Sequence, residues 1–148
     1  AVKEKKTTTV GLITVFYQSG MLMIKLPSGR TLSYVRPRMT VNRFGSESVS
    51  YEGVGTNKKW GRIESYGAKF CENIVQATAR DILAEAMLRL EKNGFDIVCH
   101  IHDEVVLEVP EGKSSVEEVN EIMAVCPSWC KGLPLKAAGF ESPFYKKD

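Results

Sequence analysis

The sequence predicts an α+β fold: an antiparallel β-sheet with a long helix packed across it, plus a β-rich N-terminal part. Three observations lead there. Short apolar runs punctuated by Gly, Pro and Ser fill residues 1–59. A wide apolar stripe at helical spacing occupies residues 69–92. Residues 95–109 then alternate apolar and polar side chains about a central break, the pattern of a hairpin. With 148 residues, 43% hydrophobic and 26% charged, the chain reads as one domain, 1–148, and the disordered and membrane classes are set aside. It has neither a run of eighteen apolar residues nor a signal-peptide core, so a soluble, cytoplasmic protein with no membrane partner is expected. The opening Ala1, in place of Met, reads as a cut inside a longer protein.

Taken in order, residues 10–17 and 21–26 are strands separated by a turn at Gln18, Ser19 and Gly20. Pro27, Ser28 and Gly29 make a second turn, and residues 31–36 a third strand that Pro37 stops. Residues 38–47 read as loop, 48–51 as a short strand and 53–59 as another loop. The long helix carries Phe70, Ile74, Val75, Ile82, Leu83, Met87 and Leu90 on one stripe, and Asn93 with Gly94 stops it. Ile97, Cys99 and Ile101 form one arm of the hairpin, and Val105, Leu107 and Val109 the other. The arms are apolar enough to lie centrally in a sheet, with the acidic pair of Asp103 and Glu104 at the tip. Ser114 or Ser115 can cap a further helix to about Val125, ended by Pro127, and residues 133–140 are a candidate last strand.

Charge divides the chain. Residues 1–62 carry a net +8 and residues 63–148 a net −6. A basic half suggests a polyanion, although a solvated basic surface would look the same. The four cysteines, at 71, 99, 126 and 130, form no paired C-x-x-C knuckle and read as reduced thiols. Two histidines, His100 and His102, are too few for the binuclear zinc hydrolases that use H-x-H. Neither a P-loop nor a G-x-S-x-G elbow occurs.

The chemistry concentrates at His102, Asp103 and Glu104. Adjacent carboxylates repel unless a cation balances them. A rigid hairpin holding an Asp at its tip suits Mg²⁺, which demands near-octahedral oxygen ligands. An ordinary acidic turn is the competing reading.

The helix bearing Asn73, Gln76, Ala77, Ala79 and Asp81, followed by the hairpin with Asp103 placed 27 residues after Gln76, resembles the palm of family A DNA polymerases, the DNA polymerase I family. The wording from Trp60 to Pro110 is most similar to phage and prophage members, while residues 1–59 match mainly at Leu26 to Arg30. The resemblance implies a C-terminal palm portion of a template-directed DNA polymerase, residues 60–148 holding the long helix, the H-D-E hairpin, a C-terminal helix and a strand. It implies that Asp103 ligates a catalytic Mg²⁺ pair, that Glu104 assists, and that His102 lies near the primer terminus. Asn73 and Gln76 would donate to minor-groove acceptors, which look alike for every base pair. Asp81 would be structural. DNA primer-template, deoxynucleoside triphosphates and the remainder of the polymerase chain are the implied partners.

Two family motifs are missing. The strand motif D-x-S-x-x-E-x-R, source of the second metal aspartate, does not occur. Lys59 has the right spacing to Tyr66 and Gly67 for the nucleotide-gripping helix, but Gly55 stands where that helix has Arg. The chain alone is therefore expected to be inactive. The rival readings are a non-catalytic nucleic-acid-binding module using the basic half, and a structural or partner-docking domain.

Overall fold

The computed structural model describes residues 1–42 and 44–146. Arg43, within the expected loop, and the last two residues lie outside them. The chain divides into two compact units, Ala1–Thr78 and Ala79–Asp148.

The first unit is a six-stranded antiparallel meander: β1 (Thr8–Val10), β2 (Ile13–Gln18), β3 (Met21–Lys25), β4 (Thr31–Val41), β5 (Glu47–Val54) and β6 (Trp60–Ser65), paired in sequence order. Period two puts Leu22 and Ile24 of β3 and Tyr34 of β4 on one face, with Val15 and Tyr51 beside them. The helix α1 (Gly67–Lys92) lays Phe70 and Ile74 over that face. Tyr34 sits edge-on to both Tyr51 and Phe70, at 4.9 Å between ring centroids in each pair. Burying each such side chain contributes about 1.5–3 kcal/mol, so this cluster holds the sheet to the helix.

Three strand expectations are corrected here. The run 10–17 breaks at Gly11, whose φ of +57° makes the turn between β1 and β2. Pro37 does not stop the third strand. β4 runs on to Val41, because the register shifts between Val35 and Arg38, so that Arg36 and Pro37 together face Tyr51. A bulge is where a sheet tolerates a residue with no N–H. Arg36 takes the strain, at φ +45°, and its own N–H still reaches the Gly20 carbonyl at 3.0 Å. The loop expected at 38–47 thus shrinks to residues 42–46, and the one expected at 53–59 to 55–59. β6 was not anticipated as a strand at all.

The second unit contains the later turns of α1, the hairpin β7 (Asp96–Ile101) and β8 (Glu104–Glu108), the helix α2 (Val116–Met123) and a 3₁₀ turn at Ser128–Cys130. Leu83, Ala86, Leu90, Phe95 and Pro127 are its buried apolar residues. α1 ends as expected. Gly94 adopts φ +82°, Phe95 N–H donates to Leu90 O at 3.1 Å and Gly94 N–H to Glu91 O at 2.9 Å, with Leu90 and Phe95 both buried. Ser115 caps α2 by accepting from Glu118 N–H at 3.2 Å. Arg89 of α1 closes the other end, donating to Ile122 O at 3.2 Å and Val125 O at 2.9 Å. The indole of Trp129 donates to Glu85.

Two further expectations fail in this unit. Residues 133–140 form no strand: they lie along neither free edge of the two-stranded hairpin and stay irregular. The hairpin does not lie centrally in a larger sheet: β7 pairs only with β8, and Val98 is 60% exposed. The α+β class with its antiparallel sheets and one long helix is nonetheless what the structure shows.

Candidate functional site

The hairpin turn contains two residues. Ile101 pairs with Glu104, leaving His102 and Asp103 as the loop. Two-residue hairpin loops need a left-handed residue to match the strand twist, usually Gly or Asn. Here His102 supplies it, at φ +53°. For a residue with a Cβ that conformation costs about 1–2 kcal/mol, and such strain clusters at functional sites. Asp103 therefore stands at the apex while Glu104 is already the first residue of β8. The acidic pair does not share the tip, as the sequence suggested. All three side chains are exposed, and none makes a hydrogen bond or ion pair among the described residues.

His100, one step down β7, is engaged: the Arg80 guanidinium lies 3.1 Å from its Nε2. That contact ties β7 to α1 within the second unit. Among the described residues no three His, Cys, Asp or Glu side chains converge as a metal site. Cys126 and Cys130 are free thiols, 3.5 Å apart. Burial and a hydrogen bond with Cys126 push the Cys130 thiol up to about 11.

Asn73 and Gln76 lie on α1 in the first unit. Gln76 is exposed. Asn73 is half-buried and turned to the sheet, where its amide nitrogen donates to the Tyr34 hydroxyl at 3.1 Å. Burial pushes the Tyr34 phenol above its ordinary pKa, and the Asn73 bond draws it part of the way back. Tyr34 is the partner that sequence reading missed. It sits 39 positions away, and only the β-strand register brings it under the helix. One turn further along α1, Arg30 donates to the Ala77 carbonyl at 2.8 Å, so the β3–β4 turn grips the helix beside Gln76.

The basic character of residues 1–62 is partly spent internally. Glu52 of β5 binds Arg36 at 3.1 Å and Arg62 at 3.0 Å. Burial alone would raise the Glu52 carboxyl, but the two guanidinium groups and a Trp60 hydrogen bond outweigh it and hold the carboxyl below its ordinary value. Among the described residues no helix is long and apolar enough to cross a membrane.

These features belong to a chain similar to DNA polymerases. It is 51% identical, over 151 aligned positions and its whole length, to the DNA polymerase of Bacillus phage SP02. It is 32% identical over 77 residues, 42% of its length, to DNA polymerase theta of Drosophila melanogaster. The chain spans 23% of the phage protein and 4% of the fly protein. No family model matches it, and no solved structure does. Homology to a phage DNA polymerase is thus established along the entire chain.

Proposed function

We propose that the chain is the palm portion of a family A, template-directed DNA polymerase that builds DNA from deoxynucleoside triphosphates on a primer-template. The observation that carries this is the 51% identity to a phage DNA polymerase along the whole chain. The exposed Asp103 at the apex of a strained two-residue turn supports it.

In this reading Asp103 binds Mg²⁺ and Glu104 assists from the start of β8. Carboxylate oxygens are the donors Mg²⁺ takes, so the residues fit in type. They are too few to complete the shell, and the remaining donors would be a second aspartate of the polymerase and the nucleotide phosphates. When bound, a pair of Mg²⁺ ions neutralises charge on the attacking and leaving oxygens of phosphoryl transfer. His102 approaches the primer terminus. Gln76, and the amide hydrogen of Asn73 not given to Tyr34, donate to minor-groove acceptors and so test pair geometry without reading sequence. The chain by itself does not extend a primer.

The test is a chimaera in which this chain replaces the matching part of the SP02 polymerase. Primer extension by the chimaera, lost on Asp103→Asn with DNA binding retained, is the expected result. A chimaera that folds and binds DNA but whose synthesis survives Asp103→Asn would refute the assignment.

A further inference from the structure

The loop between β5 and β6 and the strand that follows it present a group of side chains with no role in that reading. The loop is built rigidly. Gly55 N–H donates to Lys59 O at 3.0 Å, Lys58 N–H to Gly55 O at 2.9 Å, and Lys59 N–H to the Asn57 side chain at 3.0 Å. Lys58 sits at φ +58°, a strained conformation for a residue with a Cβ. The ammonium groups of Lys58 and Lys59 pair with no carboxylate among the described residues. Trp60, next in the chain, is 61% exposed. An indole that size on a sheet face is costly to leave in water. Two residues on, Arg62 lies on the same face of β6, joined through Glu52 to Arg36. Arg36 and Arg62 on this face, with Lys58 and Lys59 just before Trp60, thus outnumber its two carboxylates, Glu52 and Glu64, beside an exposed indole.

We propose that this surface binds single-stranded nucleic acid, with an unpaired base stacked on Trp60 and the flanking phosphates held by Lys58 and Lys59. The chemistry favours a single strand over a duplex, because the exposed π face needs a base whose own face is free. It favours a polyanion over an acidic side chain, because two adjacent unpaired lysines call for more than one negative charge. The assignment rests on the polymerase reading for its source of unpaired strand, the template ahead of the primer terminus.

The experiment follows a labelled oligothymidylate binding to the 148-residue chain by fluorescence anisotropy at several salt concentrations. Trp60→Ala is expected to weaken binding about tenfold, while Trp60→Phe keeps it within about threefold, since a phenyl ring still stacks. The double substitution Lys58→Ala with Lys59→Ala should flatten the slope of log affinity against log salt by about 1.4, two single-strand phosphates' worth. In Trp129→Phe the fluorescence that remains is from Trp60 and should be quenched by the oligonucleotide. Circular dichroism of each variant checks that the sheet is retained. Binding unchanged by Trp60→Ala, no measurable binding by the unsubstituted chain, or equal affinity for a blunt duplex or for anionic phosphatidylglycerol vesicles would each overturn the proposal. Failure of the polymerase reading shows elsewhere, as synthesis by the chimaera that survives Asp103→Asn, so the two can fail separately.

Discussion

The contact between Asn73 and Tyr34 can be weighed by cutting it from either side. Tyr34→Phe removes the hydroxyl and keeps the ring, so the edge-on contacts with Tyr51 and Phe70 survive. Asn73 is half-exposed, and its freed amide can turn to water. The loss should be near the low end for a neutral hydrogen bond, about 0.5–1 kcal/mol. Asn73→Ala is different. Tyr34 is only 7% exposed, so its hydroxyl is stranded, at a cost of about 2 kcal/mol. The better helix propensity of Ala returns about 0.5 kcal/mol, leaving roughly 1.5. The mutant cycle cancels the propensity difference and should reveal a coupling of about 2 kcal/mol. Equilibrium urea unfolding measures all four proteins. The phenol provides a second readout. Because the Asn73 bond lowers a pKa that burial has raised, Asn73→Ala should move Tyr34 higher still, as followed by NMR titration. A raised folded pKa also means that the stability tied to neutral Tyr34 is intact below pH 10 and declines as pH climbs through the folded value. Coupling near zero, or a Tyr34 pKa that falls in Asn73→Ala, would refute the bond's role.

Three other outcomes are expected. Asp103→Asn should change the chain's own stability by less than about 0.5 kcal/mol, since the side chain is exposed and touches nothing, whereas synthesis by the chimaera should fall at least about 100-fold; a melt and an extension assay decide. Leu90→Ala, at a fully buried site that also seals the end of α1, should cost about 2–5 kcal/mol, and an unchanged melting profile would contradict the packing described. Iodoacetamide at pH 8 should label exposed Cys71 and Cys99 well before Cys130, whose pKa of about 11 leaves roughly one thiol in a thousand ionised there; peptide mass mapping that finds Cys130 first would overturn this.

What the sequence reveals depends on whether the signal is local. The helix from Gly67 to Lys92 is legible because its stripe, its Asn93–Gly94 stop and its last-turn bases all lie within the element. The hairpin is legible for the same reason, except that Glu104, read as part of the tip, closes it opposite Ile101. β6 escaped because Trp60, Gly61, Arg62 and Glu64 carry neither strong alternation nor β-branched side chains. It is a strand because β5 offers it an edge, and Arg62 finds Ser50 and Glu52 across that edge, at 3.1 and 3.0 Å. β4 was cut short because proline is read as a stop, whereas a bulge removes the hydrogen bond that proline cannot make.

The site follows the same division. Asp103 could be singled out because the chemistry of a carboxylate at a turn is written in adjacent letters, and its apex geometry, with His102 left-handed beside it, is close to what those letters imply. Asn73 could be singled out by its place in a helix motif, yet the atom that orients it belongs to Tyr34, on a strand that the sequence connects to the helix only through three intervening turns. The exposed Trp60 was invisible for the converse reason. A tryptophan in an unassigned stretch reads as core, and only the strand's alternation, with Ile63 and Ser65 turned toward the helix side and Trp60 and Arg62 away from it, leaves the indole in water. Residues that act through neighbours in sequence were therefore found, and those whose orientation is set by a partner strand were not. For that reason the surface around Trp60, rather than the hairpin, is where the fold adds most to what the sequence alone conveys.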